Sequence, residues 1–137
     1  MVSIPYLKYK NSDGSYQSLP IVPVRLACNK KHQWLLALLD SGADFSLFNN
    51  SIARLLDIEV SEGREIQVYG VMDFAQTNAY LHQVNLAIKD LGSVDTNVAF
   101  TNDESYPDLP ILGRRGFFDK FRIEFEYNKR IMLYPPK

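Results

Sequence analysis

An apolar run from Gln33 to Leu39 stops abruptly on an acid, Asp40-Ser41-Gly42. A run of this length, preceded by the polar turn Asn29-Lys30-Lys31-His32, reads as a strand buried on both faces. Ending such a strand on a carboxylate costs free energy unless the fold uses the charge. The hydroxyl of Ser41 can hydrogen-bond across a local interface, and Gly42 lets backbone approach closely. Taken alone, the triplet is also what an ordinary turn after a strand looks like.

The rest of the chain reads as short strands. Ile21 to Cys28 alternates, with Pro23 confining the segment to an edge or a strand end. Phe45 to Phe48 resumes an apolar strand. Asn49-Asn50-Ser51 offers helix caps before Ile52, Ala53, Leu55 and Leu56. Glu65 to Tyr69 alternates into Gly70, a longer alternating stretch covers Tyr80 to Ile88, and Val94 to Phe100 follows. Thr101 to Pro110 is a polar, proline-punctuated loop. Arg114 to Phe121 has the spacing of a helical turn. Arg122 to Glu126 and Ile131 to Tyr134 form a closing hairpin around Tyr127-Asn128-Lys129-Arg130. Strands this short and regular, with one or two short helices, predict a small, mainly β closed barrel.

Composition narrows the function classes. Hydrophobic residues are 46% and charged residues 23%, so the chain can bury a core within one domain. A net charge of −1 with scattered Lys and Arg argues against binding nucleic acid by phosphate neutralisation. The longest apolar stretch, Trp34 to Leu39, is far short of a membrane span. Met1-Val2-Ser3-Ile4-Pro5 has no secretory pattern, and the single cysteine, Cys28, forms no internal disulfide, so a cytoplasmic setting is expected. Cys28 reads as a small buried residue. His32 and His82 have no partners at metal-ligand spacing, so no metal or other cofactor is expected. Trp34 and Phe117-Phe118 read as core.

A second place complements the first: Leu109-Pro110-Ile111-Leu112-Gly113-Arg114, apolar residues leading into a glycine and a charge. In this order the two segments resemble the retropepsin-like aspartic proteases. That family has a hydrophobic-hydrophobic-Asp-[Ser/Thr]-Gly-Ala loop, matched here by Leu38-Leu39-Asp40-Ser41-Gly42-Ala43. Its later hydrophobic-hydrophobic-Gly segment, often followed by Arg, is matched by Ile111-Leu112-Gly113-Arg114. Phe117 to Phe125 and Ile131 to Pro135 look like the tail of small prokaryotic members. The resemblance covers most of residues 20 to 135 and leaves residues 1 to 19 as an N-terminal extension of a single domain, 1 to 137.

The resemblance implies a single-lobe acid-protease barrel and a mechanism. Two aspartates face each other, share one proton and hold a water; one takes the proton of the attacking water while the other polarises the peptide carbonyl. This chain has one Asp-[Ser/Thr]-Gly, since Asp13-Gly14-Ser15 has the wrong order. The resemblance therefore implies a homodimer in which each subunit supplies Asp40, acting on a polypeptide substrate. It also implies that Ser41 links the two loops, that Gly42 and Ala43 lie beside the substrate with Ile111, and that Asp44 pairs with Arg114. A flap would be Val68 to Phe74, with Tyr69, Gly70 and Val71 against the substrate. That segment has one glycine where many members have more, and Arg115 stands where retroviral members usually carry Asp or Asn. An interaction module that keeps the fold and binds peptides without cutting them is the alternative; retention of Asp40-Ser41-Gly42 favours the enzyme.

Overall fold

The structure, a computed structural model, describes residues 1–69, 76–106 and 108–136. In chain order the strands are β1 (Val2–Pro5), β2 (Leu7–Lys10), β3 (Tyr16–Leu19), β4 (Ile21–Cys28), β5 (Lys31–Leu39) and β6 (Leu47–Asn49). The helix α1 (Asn50–Leu55) comes next, then a 3₁₀ turn (Val60–Glu62), β7 (Arg64–Tyr69), β8 (Gln76–Ile88) and β9 (Gly92–Thr101). β10 (Ile111–Leu112), β11 (Ile123–Glu126) and β12 (Arg130–Leu133) complete the chain.

Closure rests on β8. Its first half pairs with β7, from Gln76 opposite Tyr69 to Leu81 opposite Arg64. Its second half pairs with β4, Leu86 opposite Leu26, while its other edge runs along β9. The ring β4-β5-β10-β6-β9-β8 is thereby sealed as a six-strand closed barrel, and β7 extends from it as a hairpin arm. Closure removes unpaired edges, which a short-stranded sheet otherwise exposes. Pro23 sits in β4 outside the stretch that pairs with β8, where its missing N–H costs no ladder bond.

The β4–β5 turn is tighter than the sequence suggests. Only Asn29 and Lys30 form it, both at positive φ (54° and 65°), the geometry of a two-residue hairpin turn. Asn29 Nδ2 donates to the carbonyls of Leu56 and Asp57, tying this turn to the end of α1. Register then decides which apolar residues are core. Val22, Val24 and Leu26 on β4 and Ala37 and Leu39 on β5 point inward and are buried. Trp34 and Leu36 therefore point outward and are 45% and 51% exposed. The expectation that Trp34 fills the core is thus corrected, because period two leaves it no place there.

The interior is filled by Phe48, Phe100, Leu86, Val98 and Leu112, with Leu56 of the segment closing α1. Asn49 caps α1 through its side-chain oxygen, which accepts from the Ile52 N–H at 3.3 Å. Phe117 is fully buried, with Phe118 partly so. The helical turn expected over Arg114 to Phe121 is instead a set of hydrogen-bonded turns. Phe118 N–H reaches Gly113 O and Asp119 N–H reaches Arg114 O, each one residue longer than an α-helical bond. Gly116 causes the interruption: it sits at φ +97° with its α-carbon against the Asn97 carbonyl, and no α-helix continues through such a residue.

Residues 1 to 19, outside the sequence resemblance, are ordered as strands. β1 pairs antiparallel with β12, Val2 opposite Leu133 and Ile4 opposite Ile131, making the three-stranded sheet β1-β12-β11. β2 and β3 pair with each other and are exposed nearly throughout. Among the described residues no helix is long and apolar enough to cross a membrane.

Candidate functional site

Asp40 stands at the C-terminal end of β5, the strand flanked by β4 on one side and by β10, in parallel, on the other. Its backbone is fixed before its side chain is considered. Asp40 N–H donates to Leu112 O at 3.0 Å, Leu39 N–H to Pro20 O at 2.9 Å, and Leu38 N–H to Pro110 O at 2.8 Å. Ala43 N–H returns to Asp40 O at 3.1 Å, closing the turn. The Gly42 N–H donates to Asp40 Oδ1 at 2.9 Å, and a Cβ at position 42 would stand 3.2 Å from that oxygen. Glycine there keeps the approach to the carboxylate open. Asp40 is half-buried, while Ser41 and Gly42 are exposed.

The second segment braces this loop from beneath. Arg114 N–H donates to Ala43 O at 2.9 Å and Arg115 N–H to Asp44 O at 2.8 Å. Gly113 N–H donates to the hydroxyl of Ser46, a fully buried side chain that the sequence reading passed over. Ile111, opposite Leu38 and Leu47, is half-buried on β10. The two motifs of the sequence, far apart along the chain, thus form one backbone-laced unit that carries a carboxylate outward from an apolar barrel.

The charges around it include the expected Asp44–Arg114 contact and a shorter one to Arg115. Asp44 Oδ1 lies 3.8 Å from an Arg114 terminal nitrogen but 3.2 Å from Arg115 Nε. Arg115 also stacks its guanidinium over the Phe45 ring at 5.1 Å, which orients it toward Asp44. All three charged side chains are at least half exposed.

Tyr106, in the loop between β9 and β10, was also missed. It packs on the buried cluster of Leu47, Ala79 and Ala99, against which Ile66, Val68 and Leu81 of the β7–β8 hairpin also pack. Burial, and secondarily the negative charge of Asp40, push its pKa up to about 12. A lone aromatic inside an otherwise polar loop was the only signal available. Tyr69 ends β7 opposite Gln76, and Gly70 and Val71, with the rest of the expected flap tip, lie outside the described residues. His82 is structural, with a ring nitrogen 2.8 Å from Val60 O and its ring edge-on to Phe100. Among the described residues no group of three or more His, Cys, Asp or Glu side chains could hold a metal ion.

Comparison with solved structures finds this architecture elsewhere. EIAV protease, solved with the inhibitor HBY-793, aligns over 70% of this chain and 82% of its own, with a TM-score of 0.50 and 25% sequence identity. A retropepsin-like aspartic protease from Rickettsia conorii aligns over 97% of this chain and 90% of its own, with a TM-score of 0.57 and 15% identity. No family model and no curated protein matches the chain. The chain has the retropepsin-like fold.

Proposed function

We propose that this protein is an aspartic endopeptidase that works as a homodimer, each subunit contributing Asp40 to one shared site. The observation that carries this reading is the placement of Asp40: a half-buried carboxylate just after the buried residue Leu39 that ends β5, one oxygen held by the Gly42 N–H, on a loop braced by Gly113 to Arg115. The chain carries this acid once, so a pair requires a second copy.

In the pair, two carboxylates that close cannot both be charged, and they share a proton. The ionised one removes a proton from a bound water as the water attacks the peptide carbonyl carbon. The protonated one donates to the carbonyl oxygen; the C–N bond then breaks as one carboxyl protonates the leaving amine and a hydroxyl of the diol returns its proton to the other carboxylate, which restores the single shared proton. Ser41, exposed beside Asp40, would bridge the two loops. The backbone of Gly42 and Ala43 and the side chain of Ile111 would line the bound polypeptide, which would bind as an added strand beneath a flap carrying Tyr69, Gly70 and Val71. Asp44, with Arg114 and Arg115, would support the loop from outside the chemistry.

The test is cleavage of a diverse peptide library by wild type and by Asp40→Asn at acidic and neutral pH, with molar mass from light scattering. Cuts that vanish in the variant, made by a species of twice the chain mass, are the expected result. A dimer that binds peptides and never cuts them would replace the enzyme with an interaction module. A strict monomer whose activity survives the substitution would end the shared-aspartate mechanism.

A further inference from the structure

The outer side of β5 carries an apolar strip that the fold leaves open. Trp34 and Leu36 point away from the core and are half exposed. Leu38 continues the same side of the strand, two residues before Asp40. Across the β4–β5 pairing, Arg25 stands opposite Trp34, and Pro23, also exposed, stands opposite Leu36. A single exposed apolar residue is ordinary, whereas adjacent ones on one strand side make a patch.

Arg25 is short of partners in that patch. Its Nη2 donates to Asn85 Oδ1 at 3.1 Å, while its buried Nε has no acceptor. Its other terminal nitrogen is neither paired nor buried, and so is open to a ligand. Among the described residues no carboxylate forms an ion pair with it. Asp95 accepts from the same Asn85, through Nδ2 at 3.0 Å, and does not reach the guanidinium. Lys30 and His32, exposed at the turn end of β5, have no carboxylate partner either, Asp57 being taken by Lys31 at 2.9 Å. The strip therefore runs from a basic end through an apolar middle toward Asp40. A guanidinium with donors to spare is completed by a carboxylate, and Trp beside Arg is the pairing that most often anchors a bound chain.

We propose that this strip is a second binding site for the polypeptide substrate, away from the residues that flank the cut, and that it takes an acidic-apolar segment. Apolar side chains lie on Trp34 and Leu36, and a Glu or Asp carboxylate meets Arg25. The inference rests on the endopeptidase reading, and the continuity of one strand side from Leu38 to Trp34 makes the substrate the occupant. Each strand residue advances about 3.4 Å, so Arg25, level with Trp34, lies about 20 Å along β5 from Asp40, a span that about six residues of extended substrate cover. Contacts this far from the reacting bond hold substrate and transition state alike, so they lower KM and leave kcat unchanged.

The experiment lengthens a peptide that wild type cuts, at either end, so that Leu-Glu-Leu or Leu-Lys-Leu stands about six residues from the bond. KM and kcat are measured for wild type, Arg25→Gln, Arg25→Glu and Trp34→Ser, with thermal melts of all four. In wild type the Glu version at one end has a KM about tenfold below the Lys version at equal kcat, the worth of one charge-assisted hydrogen bond. In Arg25→Gln the two KM values converge, and in Arg25→Glu their order reverses. Trp34→Ser, at an exposed position, raises the KM of the Glu version and supplies the test should the Arg25 variants fail to fold. Equal KM values for both versions at both ends in wild type overturn the inference and leave the endopeptidase reading standing. A preference that survives unchanged in folded Arg25→Gln or Trp34→Ser overturns it equally. A wild type that cuts no peptide overturns both readings.

Discussion

A β-carbon on Gly113 would lie 2.5 Å from the carbonyl oxygen of Phe45 and 2.9 Å from that of Ala43. The loop that carries Asp40 and the segment leaving β10 are packed backbone on backbone, at a separation that only glycine permits. The site's geometry is therefore held by main chain, with side chains in a secondary part.

Gly113→Ala forces those two backbones apart. The expected loss of stability is about 1–3 kcal/mol, the range for overpacking a tight interior, measured as a shift in the urea midpoint. A midpoint equal to wild type would mean that the contact yields freely.

Ser46→Ala removes the acceptor of the Gly113 N–H in a fully buried place. An unsatisfied donor there costs about 1–3 kcal/mol. The same denaturation series reads this, and a cost near zero would show that another acceptor or a water takes over.

Asp44→Ala and Arg115→Ala are expected to change stability by less than about 1 kcal/mol, because the charged side chains are at least half exposed and screened by solvent. The difference from wild type should shrink further as salt is raised. A larger effect would make this ion pair, and not the backbone bonds beside it, the brace of the loop.

Tyr106 gives a signature in alkali. Its pKa is raised from 10.0 to about 12, so above pH 10 the unfolded chain loses a proton that the folded chain keeps. The contribution is intact below pH 10 and is lost as pH climbs toward 12. Melting curves across that window should fall more steeply for wild type than for Tyr106→Phe. Parallel slopes would show that the phenol titrates in the folded protein as it does unfolded.

The sequence made some of this legible for physical reasons. Leu38-Leu39-Asp40 stood out because a charge at the end of a buried strand needs explaining, and Ile111-Leu112-Gly113 because apolar residues ran into a glycine. The barrel followed from period-two alternation. Trp34 was misplaced because β5 is apolar on both faces, which erases the alternation that would have told inside from outside. β1 carried a signal that went unused, Val2 and Ile4 alternating with Ser3 and Pro5, since its partner β12 lies at the far end of the chain. Ser46 carried none, and Tyr106 only that of a lone aromatic in a polar loop: their burial is produced by strands that meet only in three dimensions. Gly116 was hidden by helix-like spacing that its own positive φ breaks.

The pairing of β1 with β12 has a consequence for biosynthesis. β1 leaves the ribosome before β12 has been made, and the sheet it belongs to cannot form until the chain has been made through β12. Contacts this distant in sequence form slowly, so a nascent chain holds an unpaired strand in the meantime. The sheet that joins β1 to β12 thus acts as a delay: a nascent chain that has not reached β12 has no partner for β1, and this part of the fold becomes available only after Leu133 has been made.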